Sequence, residues 1–473
     1  MVFSSISFLV YFLPLFLLIY QLSPKSIKNT VLLLGSILFY MWGAPLFIFV
    51  ILLTTTIDFL LVQKMHAAES EKSRKAWLIA ALTGNLALLF YFKYCNFFIE
   101  NVNAVLSLFG NSQIPLLHVV LPIGISFYTF ESLTYSIDVY RRVHVPLKNF
   151  WDYQLYILFF PKLIAGPIVR YHEIADQLKE RVHSHEKFLQ GFLRFSIGLA
   201  KKVLIANTLA NYADDAFAVP EEQLNTTIAW VGMISYTFQI YFDFSGYSDM
   251  ALGLAQIFGF NLPENFDSPY SSKSITEYWR RWHMSLGRWM RNYLYIPLGG
   301  NRSTAEIRVY INLLIVFFAS GLWHGASWTF VVWGLYHGLF LVLERSFLLK
   351  YLQKLPSIIS VLYAFMIVAV GFIFFRADNF AYAVEMSSKL FSFEFGELRF
   401  PVDVQYIVYL LLAIIFSLFV LFPPFEKLKQ KVYAENGLQL GTASTVAISC
   451  ILFTYTLAAL ASHNFNPFIY FRF

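Results

Sequence analysis

Apolar runs close to bilayer length recur along the whole of this chain, and nothing else constrains its fold so strongly. They fall roughly at 5–22, 30–42, 45–63, 76–93, 98–109, 116–137, 151–169, 188–211, 226–246, 309–322, 328–343, 356–375, 404–422 and 442–462. About 20 apolar residues in a helix cross a hydrocarbon core of about 30 Å. A soluble domain could not hide this much apolar surface: 58% of the 473 residues are hydrophobic and 14% are charged, against roughly 25% charged in ordinary soluble domains. The sequence therefore predicts an all-α polytopic membrane protein. Its first run, Ser5 to Leu22, follows no basic stretch, contains Pro14 and precedes no small-residue cleavage site. It is expected as a retained helix, not a removed signal.

Lys and Arg in the short loops set the orientation. An N-terminus outside places Lys25 and Lys28 inside, then Lys64, Lys72, Arg74 and Lys75, then Arg141, Arg142 and Lys148. A full crossing at 151–169 would strand Arg170, Lys179, Arg181 and Lys187 on the wrong side. That run also carries Pro161, Lys162, Gly166 and Pro167, which do not suit a continuous lipid-facing helix. Broken backbone at membrane depth survives only where protein or a cavity covers it. The sequence thus predicts a re-entrant segment at 151–169. Beyond it the acidic loop Asp214, Asp215, Glu221 and Glu222 falls outside, the arginine-rich stretch 280–308 inside, Lys427, Lys429 and Lys431 inside, and both termini outside. The terminal NPFIYFRF reads as an aromatic interface anchor. No repeat or linker divides the chain. It is expected as one membrane domain, 1–473, with N-terminal helices at 1–150, a core at 151–345 and C-terminal helices at 346–473.

Cys95 and Cys450 are the only cysteines, too few for a disulfide framework or a metal motif. The net charge of +6 fits contact with anionic membrane lipids, and nothing in the composition suggests a nucleic-acid partner. Polar groups set among apolar residues are then the informative ones. His283 and His324 each stand beside a tryptophan, 41 positions apart. Read as one helix, 277–294 puts Trp279, Trp282, His283, Leu286, Trp289, Met290 and Tyr293 on one face. Arg280, Arg281, Arg288 and Arg291 lie elsewhere, as lipid-headgroup contacts or as a site for a donor's phosphates. His324, in the turn WHGAS between two apolar runs, is placed as a general base; His337 is a weaker candidate. Asp243 and Asp249, in YFDFSGYSDMALGL, could orient a histidine or, more simply, pair with an arginine of 280–291. Asp138, beside Arg141 and Arg142, reads as a surface pair. No G-x-S-x-G elbow, Walker loop, G-x-G-x-x-G or H-E-x-x-H occurs, and His183 with His185 lacks the partners of a metal site. What remains is histidine acid–base chemistry without a metal or bound cofactor.

Three stretches, YFDFSGYSDMALGL, ENFDSPYSSKSITEYWRRWHMSLGRWMRNYLYIPLGGNR and GLWHGASWTFVVWGLYHG, resemble the membrane-bound O-acyltransferase family, and most of all its bacterial branch typified by the membrane subunit of alginate O-acetylation. MVFSSISFLVYFLPLFLLIY, LPIGISFYTFESLTYSIDVYR, FFPKLIAGPIVR and FIYFRF extend the likeness over nearly the whole chain. The resemblance implies about 11 transmembrane helices around a central tunnel, with re-entrant segments and a cytoplasmic amphipathic helix. It implies that His324 is the catalytic histidine and His283 the second catalytic position. It also implies a bacterial inner-membrane enzyme that takes acetyl groups from a cytoplasmic donor, acetyl-CoA or an acyl carrier protein. These would pass toward an exported polysaccharide such as alginate through an SGNH-type acetyltransferase outside the membrane. Trp279, Arg280, Arg281, Arg288, Asp243 and Asp249 are the candidate donor- and substrate-binding residues. One alternative is D-alanyl transfer to a cell-wall polymer from a carrier-protein thioester. A transporter or flippase with a histidine proton relay is another, although the inverted repeats it would need are not seen.

Overall fold

The computed structural model describes residues 2–110, 112–302, 305–433, 441–462 and 468–469. Their regular structure is helical, and no strand occurs among them. Seven described helices are long and apolar enough to cross a membrane: Phe47–Ala67, Glu71–Leu108, Glu306–His324, Trp328–Leu352, Ser357–Arg376, Val404–Leu421 and Thr442–Ser462. The chain is a multi-pass membrane protein. Two expected runs, 76–93 and 98–109, turn out to be one helical stretch interrupted only by a π-turn at Phe90–Tyr94. A third, 116–137, is helical only from Ile125, because residues 112–122 run without helix up to Pro122 and the left-handed Gly124.

The chain forms two compact units, Met1–His183 with Phe258–Leu262, and Ser184–Ile257 with Pro263–Phe473. In the first, Phe160 sits among the rings of Phe12, Phe16, Phe39 and Phe258, at 5.2–5.8 Å between centroids. The interruption expected within 151–169 is present. The Phe150–Leu158 helix ends at Phe159, whose φ of −50° and ψ of 102° are not helical, and a single turn follows at Phe160–Leu163. The polar groups freed by the break find partners, as buried backbone must. Phe160 N–H donates to Ser36 Oγ at 3.1 Å, Tyr156 O–H donates to Val169 O at 3.0 Å, and Lys162 pairs with Glu131. Asp138 is buried, not at the surface, and His172 Nδ1, from the Tyr171–Lys179 helix, meets its carboxylate at 2.8 Å.

The second unit is built on the 32-residue helix Thr226–Ile257, roughly 48 Å long at 1.5 Å per residue. The His185–Ala200 helix lies against it through two glycine contacts seven residues apart on each helix. A Cβ on Gly191 would come within 2.6 Å of Gly253 O, and one on Gly198 within 2.5 Å of Gly246 O. Small residues at such contacts let membrane helices approach at backbone distance. That approach brings the cations of one helix onto the carboxylates of the other. Arg194 bridges Asp249 (3.0 Å) and Glu264 (2.5 Å), Lys201 meets Asp249 at 2.6 Å, and Lys202 meets Asp243 at 2.8 Å. The partners of Asp243 and Asp249 therefore come from the helical stretch 185–206 and not from 280–291. Of the terminal aromatic stretch, all but Phe468 and Ile469 lies outside the described residues. Those two are buried rather than anchored at an interface: Ile469 N–H donates to Asp243 at 2.8 Å, and Phe468 packs on Tyr247 with centroids 4.6 Å apart.

Candidate active site

The stretch 277–294 is not one helix. Ile275–Arg281 and Met284–Met290 are separate helices, and between them Trp282 is extended and His283 is left-handed at φ 44°. A non-glycine residue held there costs of order 1–3 kcal/mol, so neighbouring contacts must impose it. Upstream, the carboxylate of Glu344 accepts the N–H groups of Ile275 (2.6 Å) and Thr276 (2.8 Å) and the Thr276 hydroxyl (2.7 Å). Ser274 Oγ accepts the Glu277 N–H at 3.0 Å. Both supply acceptors for the free N–H groups of a helix start. Downstream, Met284 N–H donates to Asn265 O at 2.9 Å.

Asn265 also determines the protonation of His283. Its Oδ1 accepts from the Ser285 backbone N–H (3.2 Å) and hydroxyl (2.9 Å), while its Nδ2 donates to Ser248 Oγ (3.1 Å). His283 Nδ1 lies 3.0 Å from that same oxygen. A backbone N–H can only donate, which assigns the atom as oxygen, and an amide oxygen can only accept. Nδ1 therefore carries the ring proton and Nε2 presents its lone pair. No described group hydrogen-bonds to Nε2. Burial, with the nearby charge of Arg288 adding to it, pushes the pKa of this imidazole down from 6.5 to about 3, so the ring is neutral at physiological pH.

His324 is the last residue of the Glu306–His324 helix, and Gly325 leaves it in an extended conformation. The chain reverses into the Trp328–Leu343 helix. A Cβ on Gly321 would run into Phe330 O, and one on Gly334 into Phe317 O, so both glycines are required for the two helices to meet this closely. The turn expected from WHGAS thus buries His324 where two helices join. Its ring packs against Trp323 (4.9 Å), Trp333 (5.0 Å) and Phe375 (5.2 Å), with His283 at 6.4 Å, all between centroids. Phe244 (4.7 Å) and Trp323 (5.9 Å) complete the wall around His283. The two histidines lie side by side in one buried aromatic cluster, their rings at contact distance.

The other candidate residues divide. Trp279 belongs to the chamber wall, its ring 5.7 Å from Trp333 and 5.1 Å from His337. Arg281 is held by Glu277 at 2.8 Å, and Arg288 donates to Glu264 O at 3.2 Å. Arg280 is exposed. Asp243 and Asp249 belong to the ion-pair network described above. His337 is buried, and neither of its ring nitrogens hydrogen-bonds to a described group.

Sequence reasoning passed over Trp333 and Asn265. The indole N–H of Trp333 is buried without a hydrogen-bond acceptor among the described residues, and the ring bridges His324 and His337. Nothing but its place nine residues after His324 in an aromatic motif could have singled it out. Asn265 lies 18 residues before His283, in a loop whose course no periodicity reveals.

Comparison with known proteins identifies the family. The sequence profile of the membrane-bound O-acyltransferase family matches residues 12–357. A probable alginate O-acetylase of Azotobacter vinelandii is 39% identical over the full length of both chains, and one of Pseudomonas putida is 41% identical, again over both full lengths. A peptidoglycan O-acetyltransferase of Helicobacter pylori is 36% identical over 82% of this chain and 79% of its own. A profile match over most of the chain, together with full-length relatives at this identity, leads to one conclusion: the chain belongs to the membrane-bound O-acyltransferase family and is an O-acyltransferase.

Proposed function

We propose that this protein transfers acetyl groups from a cytoplasmic thioester, acetyl-CoA, toward an exported polysaccharide, with His324 as the general base. One observation carries the reading: His283 and His324, 41 positions apart in sequence, meet at 6.4 Å in one buried aromatic chamber. The relatives named as O-acetylases and as an O-acetyltransferase of polysaccharides support acetyl as the group and a polysaccharide as its destination.

In the proposed reaction His324 takes the proton of the acceptor hydroxyl as its oxygen attacks the thioester carbonyl. A C–O bond forms, the C–S bond breaks, and the proton passes to the departing thiolate. His283 has its proton on the far nitrogen, so its Nε2 can only accept; it orients the acceptor by taking a hydrogen bond from a neighbouring hydroxyl, since the reacting hydroxyl's one proton goes to His324. It does not polarise the carbonyl, which would need a donor. The buried N–H of Trp333 is the donor suited to the carbonyl oxygen as it becomes an oxyanion. Exposed Arg280 remains the candidate for the donor's phosphates.

The wider frame belongs to the same proposal. It comprises about 11 crossings around a tunnel, a re-entrant 151–169, an inner-membrane location with both termini outside, and an SGNH-type partner that completes transfer. The test is acetyl esters on exported polymer in a host carrying His324→Ala, with membrane insertion checked by fractionation. Loss of the esters from an inserted variant is expected. Full acetylation would remove His324 from the chemistry.

A further inference from the structure

The first unit contains a cleft of about 760 Å³ at the start of the Lys28–Gly43 helix. Lys25, Lys28, Lys179 and Arg181 line one end, against two carboxylates, Asp152 and Glu180. The cations are less neutralised than this ratio suggests. Lys28 Nζ donates to Tyr20 O at 2.7 Å and lies 4.2 Å over the Tyr20 ring. Arg181 donates to Phe258 O (3.0 Å), Asn29 Oδ1 (2.6 Å) and the Tyr20 hydroxyl (3.2 Å). All of these are neutral acceptors, so both charges persist. Asp152 accepts from Asn29, another neutral group, at 2.9 Å. Lys25 has no ion pair among the described residues, and Lys179 has only the exposed Asp176 at 3.9 Å, a pairing of little worth in water.

The other end is apolar. Leu33, Leu34 and Ile37 line it, and the helix continues beyond as exposed Leu38 and Trp42. From Leu34 to Trp42 this surface runs roughly 12 Å at 1.5 Å per residue. Trp151 stands at the rim, 60% exposed, as amphipathic rings do at the level of lipid headgroups. In a multi-pass membrane protein such a surface faces acyl chains. A soluble phosphate would satisfy the cations and leave the apolar end bare, and a neutral lipid would do the reverse.

We propose that this cleft binds an anionic phospholipid, its phosphate held by Lys25, Lys179 and Arg181 and one acyl chain laid along Leu33, Leu34 and Ile37. The site shares no residue with the histidine chamber and does not depend on the reaction assigned there.

The test uses delipidated full-length protein in detergent, with the melting temperature followed as phosphatidylglycerol, phosphatidylcholine or inorganic phosphate is added. Phosphatidylglycerol is expected to raise it at concentrations where the other two do not. Each lost cation weakens anionic lipid binding about fivefold. Lys25→Gln with Lys179→Gln should therefore need about 25-fold more lipid for the same shift, and Lys25→Gln alone about fivefold more. Lys72→Gln with Lys75→Gln, exposed elsewhere on the same unit, should respond as the parent does. An equal shift with phosphatidylcholine or inorganic phosphate would overturn the proposal, and so would an undiminished response in the double variant.

Discussion

The Arg194 network and the histidine chamber both lie in the second unit, and they treat their polar atoms in opposite ways. In the network every cation has a carboxylate within 3.0 Å: Arg194 with Asp249 and Glu264, Lys201 with Asp249, Lys202 with Asp243. In the chamber, His283 Nε2, Trp333 Nε1, Trp279 Nε1 and both nitrogens of His337 are buried and have no hydrogen-bond partner among the described residues. A buried polar atom left unsatisfied costs about 1–3 kcal/mol, and native structures carry few of them. Several in one cluster fit a site whose missing partners arrive with the reactants of the proposed transfer. The network holds helices together, and the chamber keeps hydrogen-bonding capacity in reserve.

The contrast can be broken from either side. The largest effect on folding is expected from Arg194→Leu, which takes from buried Asp249 and the partly exposed Glu264 the cation they share and leaves Asp249 with Lys201. Breaking a buried pair this way costs about 3–5 kcal/mol, read as a lower melting temperature, with turnover per folded molecule within about twofold of the parent. A normal melting temperature with lost turnover would move the network into the chemistry. On the other side, Trp333→Phe keeps the ring and removes its N–H. Losing one oxyanion donor lowers kcat by about 10²–10³, while stability should change by no more than about 1 kcal/mol. Unchanged kcat would leave Trp333 as a wall residue only.

The smallest effect concerns His283 and acid. Its folded pKa is about 3 against 6.5 for the ordinary imidazole. Between these values the unfolded chain takes up a proton that the folded chain refuses, so stability falls as pH falls through that window, by at most about 1.4 kcal/mol per pH unit. His283→Asn should flatten this share of the slope between pH 6.5 and 5, as measured by melting temperature. An unchanged slope would mean that other groups produce it.

The parts of this molecule that were legible in its sequence are those set by local composition. Long apolar runs gave membrane-length helices, and Pro161 and Gly166 marked the interruption in 151–169. The WHGAS turn, with Gly325, placed His324 at a helix junction. What could not be read depends on distant partners. Helical periodicity put His283 on the buried face, and it is buried, but the backbone break beneath it follows from Asn265, 18 residues away. The carboxylates Asp243 and Asp249 were expected to pair with nearby arginines. Their partners lie 41 to 55 residues upstream, brought close by the glycines that let two helices touch. Asp138 was read from its neighbours Arg141 and Arg142, although His172 from another helix lies against it.

The most direct test of His324 as the base is chemical rescue in the purified enzyme. His324→Ala empties an imidazole-sized space in the chamber, and acetyl transfer from acetyl-CoA to an acceptor is measured with and without added imidazole. A loss of about 10²–10⁴-fold is expected without it, the usual contribution of a general base, with part of the rate returning as imidazole is added. Transfer at the parent rate by His324→Ala without imidazole would contradict the assignment.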